Sequence, residues 1–229
     1  MTRLLATALL SFALASCGAV PEGRQAQRPA ATQARMPTAT APISRPSQDT
    51  QMCLATLGAS GARFEPLPDR YLGPGCHQLG TVKLERLSSD ADRIELSSLG
   101  PLSCPVANTL AGWVRFGVDR AARQYLGSGI ARIETMGSYS CRNVAGSSRL
   151  SAHATAEAVD IAAFLLEDGR RVSVKQDWSE GSSAEQSFLR VVHQSACKRF
   201  GTVLGPDYNA AHADHLHVER TGQGKSFCR

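Results

Sequence analysis

Apolar side chains recur at helical spacing between positions 105 and 126. There Leu110, Trp113, Val114, Val118, Ala121 and Tyr125 share one face, and Gly127 supplies a stop. The same spacing returns over 183–201, where Leu189, Val192, Ala196 and Phe200 form a stripe. Ser183 and Gln186 have the form of a capping box for that helix, and Gly201 ends it. Elsewhere the pattern is that of strands. One covers 130–139, and two more, 158–166 and 171–174, form a hairpin through Glu167-Asp168-Gly169, since Asp-Gly suits a tight turn. A last short strand covers 215–219. Helices combined with a mostly antiparallel sheet predict an α+β domain.

The start of the chain follows another pattern. Arg3 precedes a largely apolar stretch over 4–16, too short for a permanent membrane span, which needs about 20 apolar residues. A basic start, a short hydrophobic stretch and small residues at its end are the layout of a secretory signal peptide. The stretch closes on Leu14-Ala15-Ser16-Cys17, which resembles the lipobox of bacterial lipoproteins. That resemblance implies removal of residues 1–16 and a lipid on Cys17. It would anchor a periplasmic protein to a membrane, the outer membrane of a Gram-negative cell. An ordinary signal peptide with an incidental cysteine is the plainer alternative. Residues 17–50 are rich in Ala, Pro, Gln, Arg and Thr with few large apolar side chains, a composition expected to form a disordered, fairly extended tether. The folded domain is then expected over 51–229.

Charge changes the picture less than its total suggests. The chain carries a net +5. Residues 51–229, however, hold 20 Lys and Arg against 18 Asp and Glu, no footprint for a nucleic acid. The seven cysteines point to export. Setting Cys17 aside leaves Cys53, Cys76, Cys104, Cys141, Cys197 and Cys228, without any CxxC pair that would suggest thiolate zinc. Three disulfides fit an oxidising compartment better. Six cysteines allow 15 pairings; the sequential one, Cys53–Cys76, Cys104–Cys141 and Cys197–Cys228, is the expectation adopted.

The candidate chemistry lies in two segments. Three of the six histidines fall in His212-Ala213-Asp214-His215-Leu216-His217. On a strand His215 and His217 project to one face, and Asp214 and Leu216 to the other. The second segment is Ser151-Ala152-His153-Ala154-Thr155-Ala156-Glu157-Ala158-Val159-Asp160-Ile161, whose small residues allow a tight return of the backbone. Asp160 is flanked by apolar residues, and a lone buried carboxylate costs several kcal/mol unless paired or bound to a cation. Two histidines and one carboxylate form a donor set for Zn²⁺ with one position left open, as in catalytic sites. Trp113 reads as core, Trp178 as core or cleft wall, and His77, His193 and Glu157 as surface or helix-face residues.

His-x6-Asp followed by His-x-His resembles the LAS-type zinc peptidases, which include D-Ala-D-Ala carboxypeptidases and penicillin-insensitive murein endopeptidases. Ser151-x-His153 with Ala158-Val159-Asp160-Ile161 resembles the first endopeptidase motif, and His212-x-Asp214-His215-x-His217-Val218 the second. The span from Cys53 to Cys228 also resembles the bacterial extensin-like C-terminal domain. That likeness rests on Gly137-Ser138-Tyr139-Ser140-Cys141-Arg142, on Phe200-Gly201-Thr202-Val203-Leu204-Gly205-Pro206-Asp207-Tyr208-Asn209 and on the two metal motifs. The resemblance implies a LAS-peptidase-like, disulfide-stabilised domain with zinc on His153, Asp160 and His217 and with His215 as catalytic partner. His212 would be a further site histidine, Asp214 an orienting carboxylate, and Arg142 a binding group for a substrate carboxylate, with Arg149 its rival. The implied activity is cleavage of peptidoglycan peptides by a monomer, with an endopeptidase slightly favoured over a carboxypeptidase. A non-catalytic wall-binding lipoprotein is the alternative. Two departures stand out. Relatives often carry glycine where this chain has Ala156, where an ordinary backbone is expected, and many place a glutamate before the last ligand.

Overall fold

The computed structural model describes residues 46–222, 224 and 226–229. The expected signal peptide, Cys17 with its expected lipid, and the expected tether up to residue 45 lie outside the described residues. The chain opens on helix α1 (Gln48–Ala59), so residues 48–50 belong to the domain and not to a tether. Ser47 caps it by accepting the Thr50 N–H at 3.2 Å, and Asp49 lies in its first turn, where the helix dipole favours a negative charge. Six strands follow: β1 (Arg63–Pro66), β2 (Arg70–Gly73), β3 (Cys76–Gln78), β4 (Thr81–Ser88), β5 (Arg93–Ser97) and β6 (Leu102–Ser103).

The helix predicted over 105–126 occupies that span in three parts. These are α2 (Cys104–Trp113), a π-helical stretch (Val114–Asp119) and α3 (Arg120–Leu126). Gly127 ends it in the left-handed conformation (φ 71°), which glycine adopts without a Cβ penalty. Then come β7 (Ile130–Gly137), β8 (Ala158–Leu166), β9 (Arg171–Ser173), α4 (Val174–Asp177), α5 (Ser183–Cys197), β10 (Phe200–Leu204), β11 (Leu216–Thr221) and β12 (Phe227–Cys228). Helix α5 is capped by Ser182 and Glu185, one residue before the predicted Ser183 and Gln186. It also stops earlier than expected. Phe200 opens β10 instead of closing the helical stripe, because its backbone pairs with Thr221 of β11.

One mixed sheet of ten strands organises the described residues, in the order β1-β4-β5-β7-β8-β11-β10-β12, with β6 on β4 and β9 on β8. The pairings are antiparallel except β5 with β7 and β10 with β12. The α+β expectation with a mostly antiparallel sheet therefore holds. Alternation across β8, β11 and β10 sends Val159, Ile161, Leu216, Val218 and Val203 into the core. There α2, α3 and α5 cover them. Trp113 donates its indole N–H to the Val192 carbonyl at 3.2 Å and meets Phe200 edge-on. Gly117 permits this layer to close, since a Cβ there would lie 2.3 Å from Ser195 Oγ of α5. No described helix is long and apolar enough to cross a membrane.

The disulfides are Cys53–Cys104, Cys76–Cys141 and Cys197–Cys228. The last agrees with sequential pairing; the other two correct it. Helix α1 packs on α2 and brings Cys53 to Cys104, an approach the sequence pattern did not reveal because α1 was not foreseen. Asn108 on α2 reinforces it by donating to the Cys53 carbonyl at 3.0 Å. Cys76, in β3, is left to fasten the segment after β7. Replacing Cys53 and Cys104 together by Ser is expected to destabilise the domain by about 4 kcal/mol, since it frees a loop with a sequence separation of 51. Urea unfolding measures this, and an unchanged midpoint would contradict it.

Candidate metal centre

The first half of the site is a short 3₁₀ turn, Ala152–Thr155, placed ahead of β8. Ser151 caps it by accepting the His153 N–H at 3.3 Å. Ala152, Ala154 and Ala156 are buried around it, where larger side chains would not fit the closed turn. Ala156 adopts φ 56° and ψ 31°, so the ordinary backbone expected there is corrected to a left-handed one. That conformation reverses the chain into β8, and the Ala156 carbonyl accepts the Ser103 N–H at 2.8 Å. Glycine would take it with less strain.

The turn aims His153 inward. Its Nδ1–H donates to the Ser138 carbonyl at 3.0 Å, which leaves Nε2 as the nitrogen with a free lone pair. This Nε2 is buried and has no hydrogen-bond partner, yet it lies 3.1 Å from Asp160 Oδ2. An unpartnered buried nitrogen beside a buried carboxylate is the feature a bound cation would satisfy.

The second half arises from strand register. β8 and β11 pair so that Asp160 faces His217, and both project from the sheet face opposite the core. His217 Nδ1 donates to Asp160 Oδ1 at 2.8 Å. Donor atoms of His153, Asp160 and His217 all lie within 4.8 Å of one another. The three side chains are 3%, 13% and 9% exposed, so this is an interior cluster. Burial alone would raise the Asp160 pKa, but the flanking His153 and His217 outweigh it and hold the carboxyl well below the usual carboxylate range. Burial would likewise lower the His217 pKa, and hydrogen bonds to Asp160 and Glu219 outweigh that and raise it. Two imidazoles and a carboxylate are a donor set suited to zinc. The residues present fit such an ion.

Other candidate residues gather at the same place. His215 Nε2 lies 3.5 Å from Asp160 Oδ1, while its Nδ1 bonds Asp214 Oδ1 at 2.8 Å. Asp214 thus touches a site histidine, although its position outside the strand's alternating face suggested that it points away. His212 bonds Asn209 Oδ1 through Nδ1 at 2.7 Å, with its ring 5.2 Å from that of His215 and 5.8 Å from that of His217. Burial, then the charges of His215 and His217, pull the His212 pKa down to about 4. His212, His215 and His217 border a cleft of about 590 Å³, and Arg142, Arg149, Tyr208 and Phe227 line it too. Both arginine candidates therefore face one cleft. They sit on either side of a narrow loop closed by the Asn143–Leu150 bridge.

One site residue escaped the sequence reading. Glu219 accepts from His217 Nε2 at 3.2 Å and is only 14% exposed. The signal was present: positions 217 and 219 share a face on an alternating strand, which runs over Leu216–Thr221 where 215–219 was expected.

Fold and site together define an α+β protein with a candidate metal-binding cleft on the open face of its sheet. Residues 51–229 match the family described as "Extensin-like protein C-terminus", and the chain belongs to that family. No curated protein and no solved structure matches it.

Proposed function

We propose that this chain is a zinc-dependent peptidase of LAS-type kinship, anchored through Cys17 in the periplasm, that hydrolyses amide bonds in peptidoglycan peptides. An endopeptidase acting on cross-links is slightly favoured over a carboxypeptidase, on the likeness of the two motifs. The observation that carries the reading is the convergence of the unpartnered, buried His153 Nε2 with the Asp160 carboxylate and His217, all within 4.8 Å of one another, where Asp160 and His217 line one cleft. A zinc ion held by these three residues would polarise a scissile carbonyl and acidify water in its neighbourhood. His215 would take up and deliver the proton, because Asp214 holds Nδ1 and turns Nε2 toward Asp160. Arg142 and Arg149 would hold a carboxylate of the stem peptide at the mouth of the cleft.

The test is to incubate the zinc-loaded chain with purified sacculi and weigh the released muropeptides by mass spectrometry. Conversion of cross-linked dimers to monomers supports the endopeptidase, and loss of a terminal D-alanine supports the carboxypeptidase. Unchanged muropeptides with sacculus binding retained would replace the proposal by a wall-binding lipoprotein. Within an active enzyme, changing Arg142 and Arg149 together to Ala is expected to raise KM about 10- to 100-fold, the value of a charge-assisted hydrogen bond or two. The turnover number should change far less, because the two guanidiniums would hold substrate and take no part in the proton transfer assigned to His215. A KM effect of equal size on a substrate whose carboxylate is amidated would contradict this role.

A further inference from the structure

Glu219 is a largely buried carboxylate two residues after His217, on the same face of β11. Its Oε2 receives His217 Nε2 at 3.2 Å, and its Oε1 receives Arg220 Nη1 at 2.8 Å. Nε2 is the nitrogen of His217 that does not face Asp160, since Nδ1 makes that contact. Glu219 thus holds the far edge of the ring while Asp160 meets the near edge.

Arg220 makes the arrangement unusual. It is one of three non-glycine residues with positive φ among the described residues, at 55°, a conformation that costs an ordinary side chain about 1 kcal/mol or more. In it the Arg220 N–H reaches the Glu157 carbonyl at 2.9 Å, and its guanidinium lies 3.3 Å from Glu157 Oε2. Glu157 Oε2 in turn accepts from Thr155 Oγ1 at 2.9 Å, within the turn that carries His153. A run of polar contacts from Thr155 through Glu157, Arg220 and Glu219 to His217 therefore joins the two halves of the site. Arg220 and Glu157 are partly solvated, so water and salt screen their pair, whereas Glu219 is nearly enclosed.

We propose that Glu219 is a positioning residue for the metal centre: by accepting the Nε2 proton of His217 it fixes the tautomer and ring orientation that present Nδ1 to a cation shared with Asp160 and His153. This rests on the zinc reading above and deepens it. A carboxylate on the outer nitrogen of a ligand histidine also raises the basicity of the inner one, and losing such a partner typically weakens metal affinity about 10- to 100-fold.

The experiment measures zinc affinity of the purified chain by chelator competition, for the wild type, Glu219→Ala and Glu219→Gln. Long-range ¹⁵N–¹H spectra of His217 in the zinc-loaded samples accompany it. Expected are a loss of about 10- to 100-fold in Glu219→Ala, recovery of most of it in Glu219→Gln, whose amide oxygen still accepts the proton, and an Nε2–H tautomer in the wild type and Glu219→Gln. If Glu219→Ala does not fold, Glu219→Asp withdraws the carboxylate by one methylene and should weaken binding in the same sense. A wild type that binds zinc beside Glu219→Ala or Glu219→Asp of equal affinity overturns the positioning role and leaves the metal site standing. A folded wild type that takes up no zinc overturns both.

Discussion

Asp160→Asn is expected to lower zinc affinity by more than about 100-fold, beyond the loss typical of an outer partner, because it removes the only anionic donor of the cluster. The change keeps the volume of the side chain, so packing against β7 and β11 should survive. What it removes is charge. His153 Nε2 would then have only neutral or cationic neighbours within its reach, and a divalent cation would meet two imidazoles without compensation for the cost of burying it. The apo protein should suffer less than the usual loss of a buried ion pair. Asp160 is the larger of the two carboxylate influences, with Glu219, that raise the affinity of His217 for its proton, so without it His217 gives that proton up more readily. Zinc content after gel filtration reads the main effect directly. A second readout is thermal. Zinc at a hundred times its Kd stabilises a folded protein by about 2.7 kcal/mol, worth roughly 5–10 °C for a domain of this size. That shift should be present in the wild type and absent in Asp160→Asn. Equal zinc content in the two proteins would remove Asp160 from the ligand set.

The sequence pattern located this site better than it located the frame around it, and the reasons differ by element. β8 was legible to its ends, because an apolar run between small residues and an Asp-Gly turn has few alternatives. His215 and His217 could be placed on one face because strand alternation is strict, and the same rule reaches Glu219. The first half of the domain was not legible. β1 and β2 are short and mostly exposed, and helix α1 buries little beyond Leu57, so neither alternation nor a helical stripe marks them strongly. Missing α1 made the Cys53–Cys104 bridge invisible, since loop spacing carries no information about which helices pack. Cys197–Cys228 was recovered because one end sits on a recognisable helix and the other on the tail beside it. The left-handed Ala156 went against residue preference. The Ala156 N–H closes the turn on the His153 carbonyl, and the Ser103 N–H from β6 holds the Ala156 carbonyl; a tertiary contact such as the second leaves no local trace.

His215→Ala is expected to separate binding from chemistry: zinc content should stay at one ion per chain while cleavage of muropeptides falls about 10²- to 10⁴-fold, the range for loss of a general acid or base. The geometry gives both halves of that statement. His215 Nδ1 is committed to Asp214, and Nε2 lies 3.5 Å from Asp160 Oδ1, farther than the 2.8 Å of His217 Nδ1 from the same atom. It therefore borders the donor cluster without completing it. Asp214→Asn should reproduce part of the loss. An amide can still accept from Nδ1 through its oxygen but no longer stabilises a charged ring, so the defect belongs to proton transfer and not to zinc uptake. The ratio of the two effects discriminates between roles. If His215→Ala loses its zinc, His215 is a ligand and the donor set has to be redrawn around it. If it keeps both zinc and full cleavage, the proton moves through another group, and His212, whose ring stands 5.2 Å away in the same cleft, is the next side chain to replace.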